Sequence, residues 1–209
     1  MFSLRSAFPS ASRAYHRPDV SIAPLLASAL LAVSGAQIHT TLHVFTPWAG
    51  SIPAAGVTLD RTLRGSCTHG SEVLIRADAW HCDAGGRAYD PCFSNSRVDV
   101  GAHVLCLASP WEDATAIELT ARLPLSLSNP TGNPERFPPW AIVTAAHQEC
   151  VLVTGPSLGR VAGHLVNYAC AGSGLLLDLP TRGTTWTQAY AATIGAKQAT
   201  RVALRSVWW

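Results

Sequence analysis

The residues able to do covalent chemistry are few, and most of them lie in the second half of the chain. His147 ends the run WAIVTAAH (140–147). Ser157 sits in GPSLG (155–159), a G-x-S-x-G in letter. Asp178 is the one aspartate after both. A nucleophile, a base and an orienting acid would suffice for acyl transfer. Upstream, Asp78, Asp83 and Asp90 surround Cys82. Two carboxyls facing one cleft could hydrolyse a glycoside, and several together could hold calcium. Each of these needs a particular supporting element, and the sequence supplies it in only some cases.

A nucleophile elbow requires a strand before the serine and a helix after it. The strand CVLVT (150–154) is there, but GRVAGHLVNYAC (159–170) alternates and carries glycines, so GPSLG reads as a hairpin turn. No histidine follows Asp178, so the chain order of that triad is also absent. WAIVTAAH is similar to the segment carrying the general-base histidine of chymotrypsin-like serine proteases. That resemblance implies a later aspartate and a Gly-Asp-Ser-Gly serine. Only 62 residues follow His147, none of them in such a run, and the next cysteine stands at 150. The segment is therefore expected to be a strand and a turn. The aspartates lack the D-x-D-x-D-G loop of an EF-hand and suit turns equally well. A small hydrolase using His147 or an Asp pair remains the alternative.

The elements that must position these residues are short. EVLIR (72–76), HVLCL (103–107) and TAIELTARL (115–123) read as strands, the last with Ile117, Leu119, Ala121 and Leu123 on one face. After them come 140–145, 150–154, 161–168, 175–179, 186–194 and 200–208; residues 189–197 also fit a short helix. TTLHVFTPW (40–48) reads as the first strand. Five prolines mark 124–139 as a linker. The expected fold is all-β or β-rich α+β, with short antiparallel strands in two lobes, 37–123 and 140–209.

Six cysteines, an even number, all lie after residue 36. None forms a C-x₂₋₄-C pair of the kind zinc sites use. Spacing favours sequential pairing of Cys67 with Cys82, Cys92 with Cys106 and Cys150 with Cys170, each bracketing a hairpin-sized segment. Such a loop contributes about 3 kcal/mol in the chain-entropy model. No metal or cofactor is expected. Residues 1–36 read as a signal peptide, with arginines at 5, 13 and 17 followed by the uncharged run 22–36. That run is shorter than a membrane span, so a membrane attachment is expected only if the leader stays on as a signal anchor. Oxidised cysteines behind such a leader imply a secreted or cell-envelope protein.

Net charge is +2, but three of the fifteen cations and one of the thirteen acids belong to the leader, leaving twelve of each. A neutral chain with 13% charged residues has no basic field for nucleic acid. Seven tryptophans stand out, and Trp48, Trp111 and Trp140 each follow a proline. With Arg76 and Asp78 they form the expected binding surface, since exposed aromatics stack on sugars and grip partners.

The pattern Gly65-Ser66-Cys67, Ser71, Arg76, Asp78-Ala79-Trp80, Cys82, Asp90-Pro91-Cys92-Phe93, Cys106, Pro139-Trp140, Cys150, Gly155, Val166-Asn167-Tyr168, Cys170 and Trp186 resembles a group of uncharacterised exported cysteine- and tryptophan-rich domains of actinobacteria and similar bacteria. Thr68 departs from it, standing where that group has an aromatic. The resemblance implies export and disulfides and brings no activity. The expected function is a non-enzymatic binding or interaction module of the cell envelope, its partner a protein or cell-wall glycan. A secreted inhibitor in the style of lysozyme inhibitors, with 155–163 as its loop, is the other alternative.

Overall fold

Alternating apolar residues and glycine-containing turns produce fifteen short strands, described in a computed structural model for residues 38–95, 101–154 and 159–209. The expected signal peptide, Ser157 and most of GPSLG fall outside the described residues. The strands are β1 (Thr41–His43), β2 (Trp48–Ala49), β3 (Ile52–Pro53), β4 (Leu59–Gly70), β5 (Ala79–Ala84), β6 (Arg87–Ser94), β7 (His103–Cys106) and β8 (Ala114–Leu119). After the proline-rich segment come β9 (Ala141–Thr144), β10 (Glu149–Leu152), β11 (Arg160–Val161), β12 (His164–Cys170), β13 (Leu175–Thr181), β14 (Thr187–Ala191) and β15 (Thr200–Trp208). The expectation of short, mostly antiparallel strands in two lobes holds.

β4 to β8 form a meander that closes on itself through a parallel pairing of β4 with β8. β4 serves both neighbours, its first half against β8 and its second against β5. At the changeover, Gly65 pairs with both Ala84 and Leu119. A Cβ there would lie 2.3 Å from the Asp83 carbonyl oxygen and 2.9 Å from Ile117 Cγ2, so only glycine lets the three strands converge. Gly85 and Gly86, both with positive φ, make the two-residue turn between β5 and β6.

In the second lobe β9, β10, β12, β13, β14 and β15 run antiparallel in sequence, and β15 returns to β9. β15 also takes β1 in parallel, Thr41 opposite Ser206. The chain's first strand is thus part of the second lobe's sheet, while β2 and β3 form a separate small hairpin. Closure leaves few open strand edges for another chain to pair with. Between the lobes, 124–139 contains two single turns of 3₁₀ helix, Leu125–Leu127 and Pro134–Arg136.

All three disulfides join residues directly opposite on neighbouring antiparallel strands: Cys67 with Cys82, Cys92 with Cys106, and Cys150 with Cys170. The first two sit inside the first barrel with Trp80, Val104, Ile117 and Leu119. The other face of the same strands is buried too. Phe93, Leu105 and Ala116 pack into one cluster with Trp140, Ile142, Leu204 and Trp209 of the second lobe. The strand at 114–119 is therefore buried on both faces rather than half-buried, because its outer face meets the neighbouring barrel.

EVLIR is not a strand. The Ser71 hydroxyl accepts the backbone N–H groups of Val73 (3.2 Å) and Leu74 (3.0 Å), and Asp90 accepts that of Glu72 (2.9 Å). Those side chains take the donors a ladder would use and curl the run into a turn, while Leu74 is driven into the core. The possible helix at 189–197 is a strand to Ala191 followed by turns.

Candidate functional site

The first barrel's flank carries an open cleft of about 500 Å³. It forms where the segment before β2, the loop before β5 and the end of β6 meet. Pro47, Trp48, Ala77 and Leu125 supply apolar wall, and Thr46, Asp78, Ser94 and Asn95 supply polar atoms. Trp80 forms its base, 1% exposed. Two tryptophans are fixed by their ring nitrogens: Trp48 Nε1 donates to the Phe93 carbonyl (2.8 Å) and Trp80 Nε1 to the Ser94 hydroxyl (3.1 Å). The β6 strand thus orients both indoles. Trp48 also borders a second hollow of about 350 Å³, beside His103 and Ala116.

Asp78 is held by Arg76. Arg76 Nε and one terminal nitrogen donate to its two carboxylate oxygens, at 3.0 and 2.6 Å. Each oxygen has a second lone pair for a ligand hydroxyl or amide, and the Asp78 side chain is 42% exposed.

The five residues expected to share a surface therefore separate. Trp48 and Asp78 share the cleft. Arg76 lies behind it, 10% exposed, its other terminal nitrogen donating to the main-chain oxygens of Phe45 (2.6 Å) and Trp209 (2.9 Å). Its guanidinium also stands 5.4 Å from the Phe93 ring centre. With all these acceptors engaged, Arg76 ties the first barrel to the β1–β15 edge of the second rather than offering itself to a ligand. Trp140 is 1% exposed, packed on Phe45 and Phe93, and belongs to the core. Trp111 meets Trp208 edge-on, and Trp208 stacks on His43, a half-buried aromatic set on a different element.

Among the described residues, His147 and Asp178 take different partners. His147 is exposed in the β9–β10 turn with positive φ, its Nε2 3.0 Å from an Arg205 nitrogen. Asp178 pairs with His164, Nδ1 to Oδ2 at 2.6 Å, and accepts the Leu165 N–H at 3.1 Å. The hydrogen bond from His164 holds the Asp178 carboxyl below the usual carboxylate range, and the Leu165 N–H adds to it. The aspartates near Cys82 go separate ways: Asp78 to Arg76, Asp90 to Ser71 and His81, while Asp83 is exposed.

One cluster is invisible to sequence spacing. β4–β5 register sets His69 opposite His81, with ring centres 4.6 Å apart and planes 15° from parallel. Glu72, on the loop after β4, brings Oε1 to 3.4 Å from His69 Nε2. Twelve residues separate the two histidines in the chain, so only knowledge of the hairpin register would have joined them.

Tyr168, from the VNYAC run, is fully buried and donates to the Pro139 carbonyl at 2.8 Å. Burial pushes its hydroxyl far above the ordinary tyrosine range, with Arg182 opposing. It is a clamp on the end of the interlobe segment. Among the described residues no helix is long and apolar enough to cross a membrane, and three disulfides with no free cysteine fit an oxidising environment.

No family model, curated protein or solved structure matches this chain.

Proposed function

We propose that the chain is an extracytoplasmic, non-enzymatic binding module of the cell envelope that takes a hydroxyl-rich ligand of the cell-wall glycan class in the cleft beside Trp48 and Asp78. The observation that carries this reading is the cleft itself: a fixed indole next to a carboxylate whose geometry is set by Arg76. An aromatic face covers the apolar C–H face of a sugar, and a carboxylate takes its hydroxyls. The separation of His147 from Asp178's partner set favours binding over hydrolysis. The leader-like composition of 1–36 and the disulfides support export to the wall.

The test is co-sedimentation of the purified oxidised protein with insoluble cell-wall glycan, followed by intrinsic fluorescence titration with soluble glycan fragments. Wild type is expected to sediment and to shift its tryptophan emission. Trp48→Ala, with its near-ultraviolet circular dichroism otherwise retained, is expected to lose about 1 kcal/mol or more of binding, the order of one aromatic contact. Failure of the wild type to bind, or equal binding by Trp48→Ala, overturns the reading.

A further inference from the structure

We propose that His69, Glu72 and His81 form a binding site for a divalent transition cation of the zinc class on the outer face of the first barrel. Each offers one ligand atom, and these atoms lie within 4.8 Å of one another. Around a tetrahedral ion with bonds of about 2.0–2.1 Å, ligand atoms stand about 3.3 Å apart. The His69–Glu72 contact is already 3.4 Å. The two rings stack nearly parallel, so both must turn for their Nε2 lone pairs to converge on one ion, and Glu72, at 58% exposure, is free to follow.

The surroundings match what imidazole ligands need. A histidine that binds metal through one nitrogen uses the other to donate to a carboxylate, hydroxyl or carbonyl, which fixes its tautomer and ring plane. His81 has such a partner: its Nδ1 is 3.2 Å from Asp90 Oδ2, leaving Nε2 for an ion. His69 has one as well: its Nδ1 is 2.9 Å from Thr68 Oγ1, and its Nε2 points toward Glu72. Asp90 is itself held by the Ser71 hydroxyl and the Glu72 N–H, so the support extends a further layer. The strands beneath are locked by the Cys67–Cys82 disulfide beside them.

Two imidazoles and one carboxylate select against calcium and magnesium, which prefer oxygen donors only, and for zinc-like ions. All six cysteines are oxidised, so no thiolate competes. Three protein ligands leave the fourth position to water or to a donor from a bound partner. The site rests on the β4–β5 register and stands independently of the cleft.

The experiment is isothermal titration of the full-length oxidised protein with Zn²⁺, paired with visible spectroscopy of the Co²⁺ form. A single equivalent of Zn²⁺ and the strong visible bands of a tetrahedral Co²⁺ site are expected, while Ca²⁺ at the same concentration gives neither. His69→Ala is expected to weaken Zn²⁺ at least about a hundredfold, more than the loss of an outer-shell partner does. Glu72→Gln changes only an exposed side chain, so it tests the site in a chain whose core is untouched; it is expected to weaken binding and shift the Co²⁺ bands. His164→Ala, at the exposed pair with Asp178, is the control and leaves the affinity unchanged. Absence of stoichiometric Zn²⁺ binding by wild type, or the same affinity in His69→Ala and Glu72→Gln, overturns the proposal.

Discussion

Replacing Arg76 by Met retains most of the side chain's volume above Phe93 and removes every donor. The cost follows from what is left behind. The Phe45 carbonyl oxygen loses its 2.6 Å bond at a place where the guanidinium is only 10% exposed, whereas the Trp209 oxygen loses a 2.9 Å bond but keeps the Phe45 N–H. A buried acceptor left unmatched costs about 1–3 kcal/mol. Asp78 loses a bidentate partner, but its side chain is 42% exposed, so water replaces much of that pair and the loss is about 1 kcal/mol. The Phe45 oxygen dominates, and the expected destabilisation is about 2–4 kcal/mol. Asp78→Asn removes only the screened part and is expected to cost about 1 kcal/mol.

Urea unfolding of the oxidised proteins, followed by tryptophan fluorescence, gives both numbers. Amide exchange adds a local readout. The Phe45 N–H donates to the same Trp209 oxygen at 2.7 Å, and its protection is expected to fall in Arg76→Met. If Arg76→Met unfolds within about 1 kcal/mol of wild type, or no further than Asp78→Asn, then Arg76 does not tie the lobes and the argument from its acceptors is wrong.

Tyr168→Phe removes the hydroxyl that reaches the Pro139 carbonyl and leaves the ring in place. A loss of about 1–2 kcal/mol in urea unfolding is expected, and an unchanged midpoint would show that water takes the hydroxyl's place. Asp178 is expected to titrate below an ordinary aspartate by carboxyl NMR, and His164→Ala to return it toward the ordinary range. Because the folded carboxyl keeps its charge to lower pH than the unfolded one, its small contribution to stability is present above the ordinary carboxylate range. It is lost as pH falls through the depressed folded value. Titration of wild type and His164→Ala at the same pH refutes the assigned cause.

Local patterns in the sequence were informative where the structure is local. Each cysteine pair flanks one turn or a short excursion, so spacing pointed to partners that strand register then brings face to face. The run 200–208 has the bounds of β15, Thr200–Trp208. Reading failed where a side chain far along the chain decides. EVLIR has the composition of a strand, but the Ser71 and Asp90 oxygens take its donors. Arg76 and Trp140 have the character of surface binders, yet Phe45 and Trp209 come from over thirty and over sixty residues away to cover them. Of the candidate cleft, Trp48 and Asp78 were legible as residue types. Their meeting was not, because it depends on how the loops before β2 and β5 fall across the end of β6.

The return of β15 to β9 and β1 sets an order of assembly. The first barrel draws on residues 59–119 alone and can shut as soon as that stretch is free. The second cannot, since its closing strand is residues 200–208 and its flanking strand is 41–43. During synthesis, Phe93, Leu105 and Ala116 must wait uncovered until the last strand arrives. That interval, more than the finished protein, is where a chaperone would find a sticky surface.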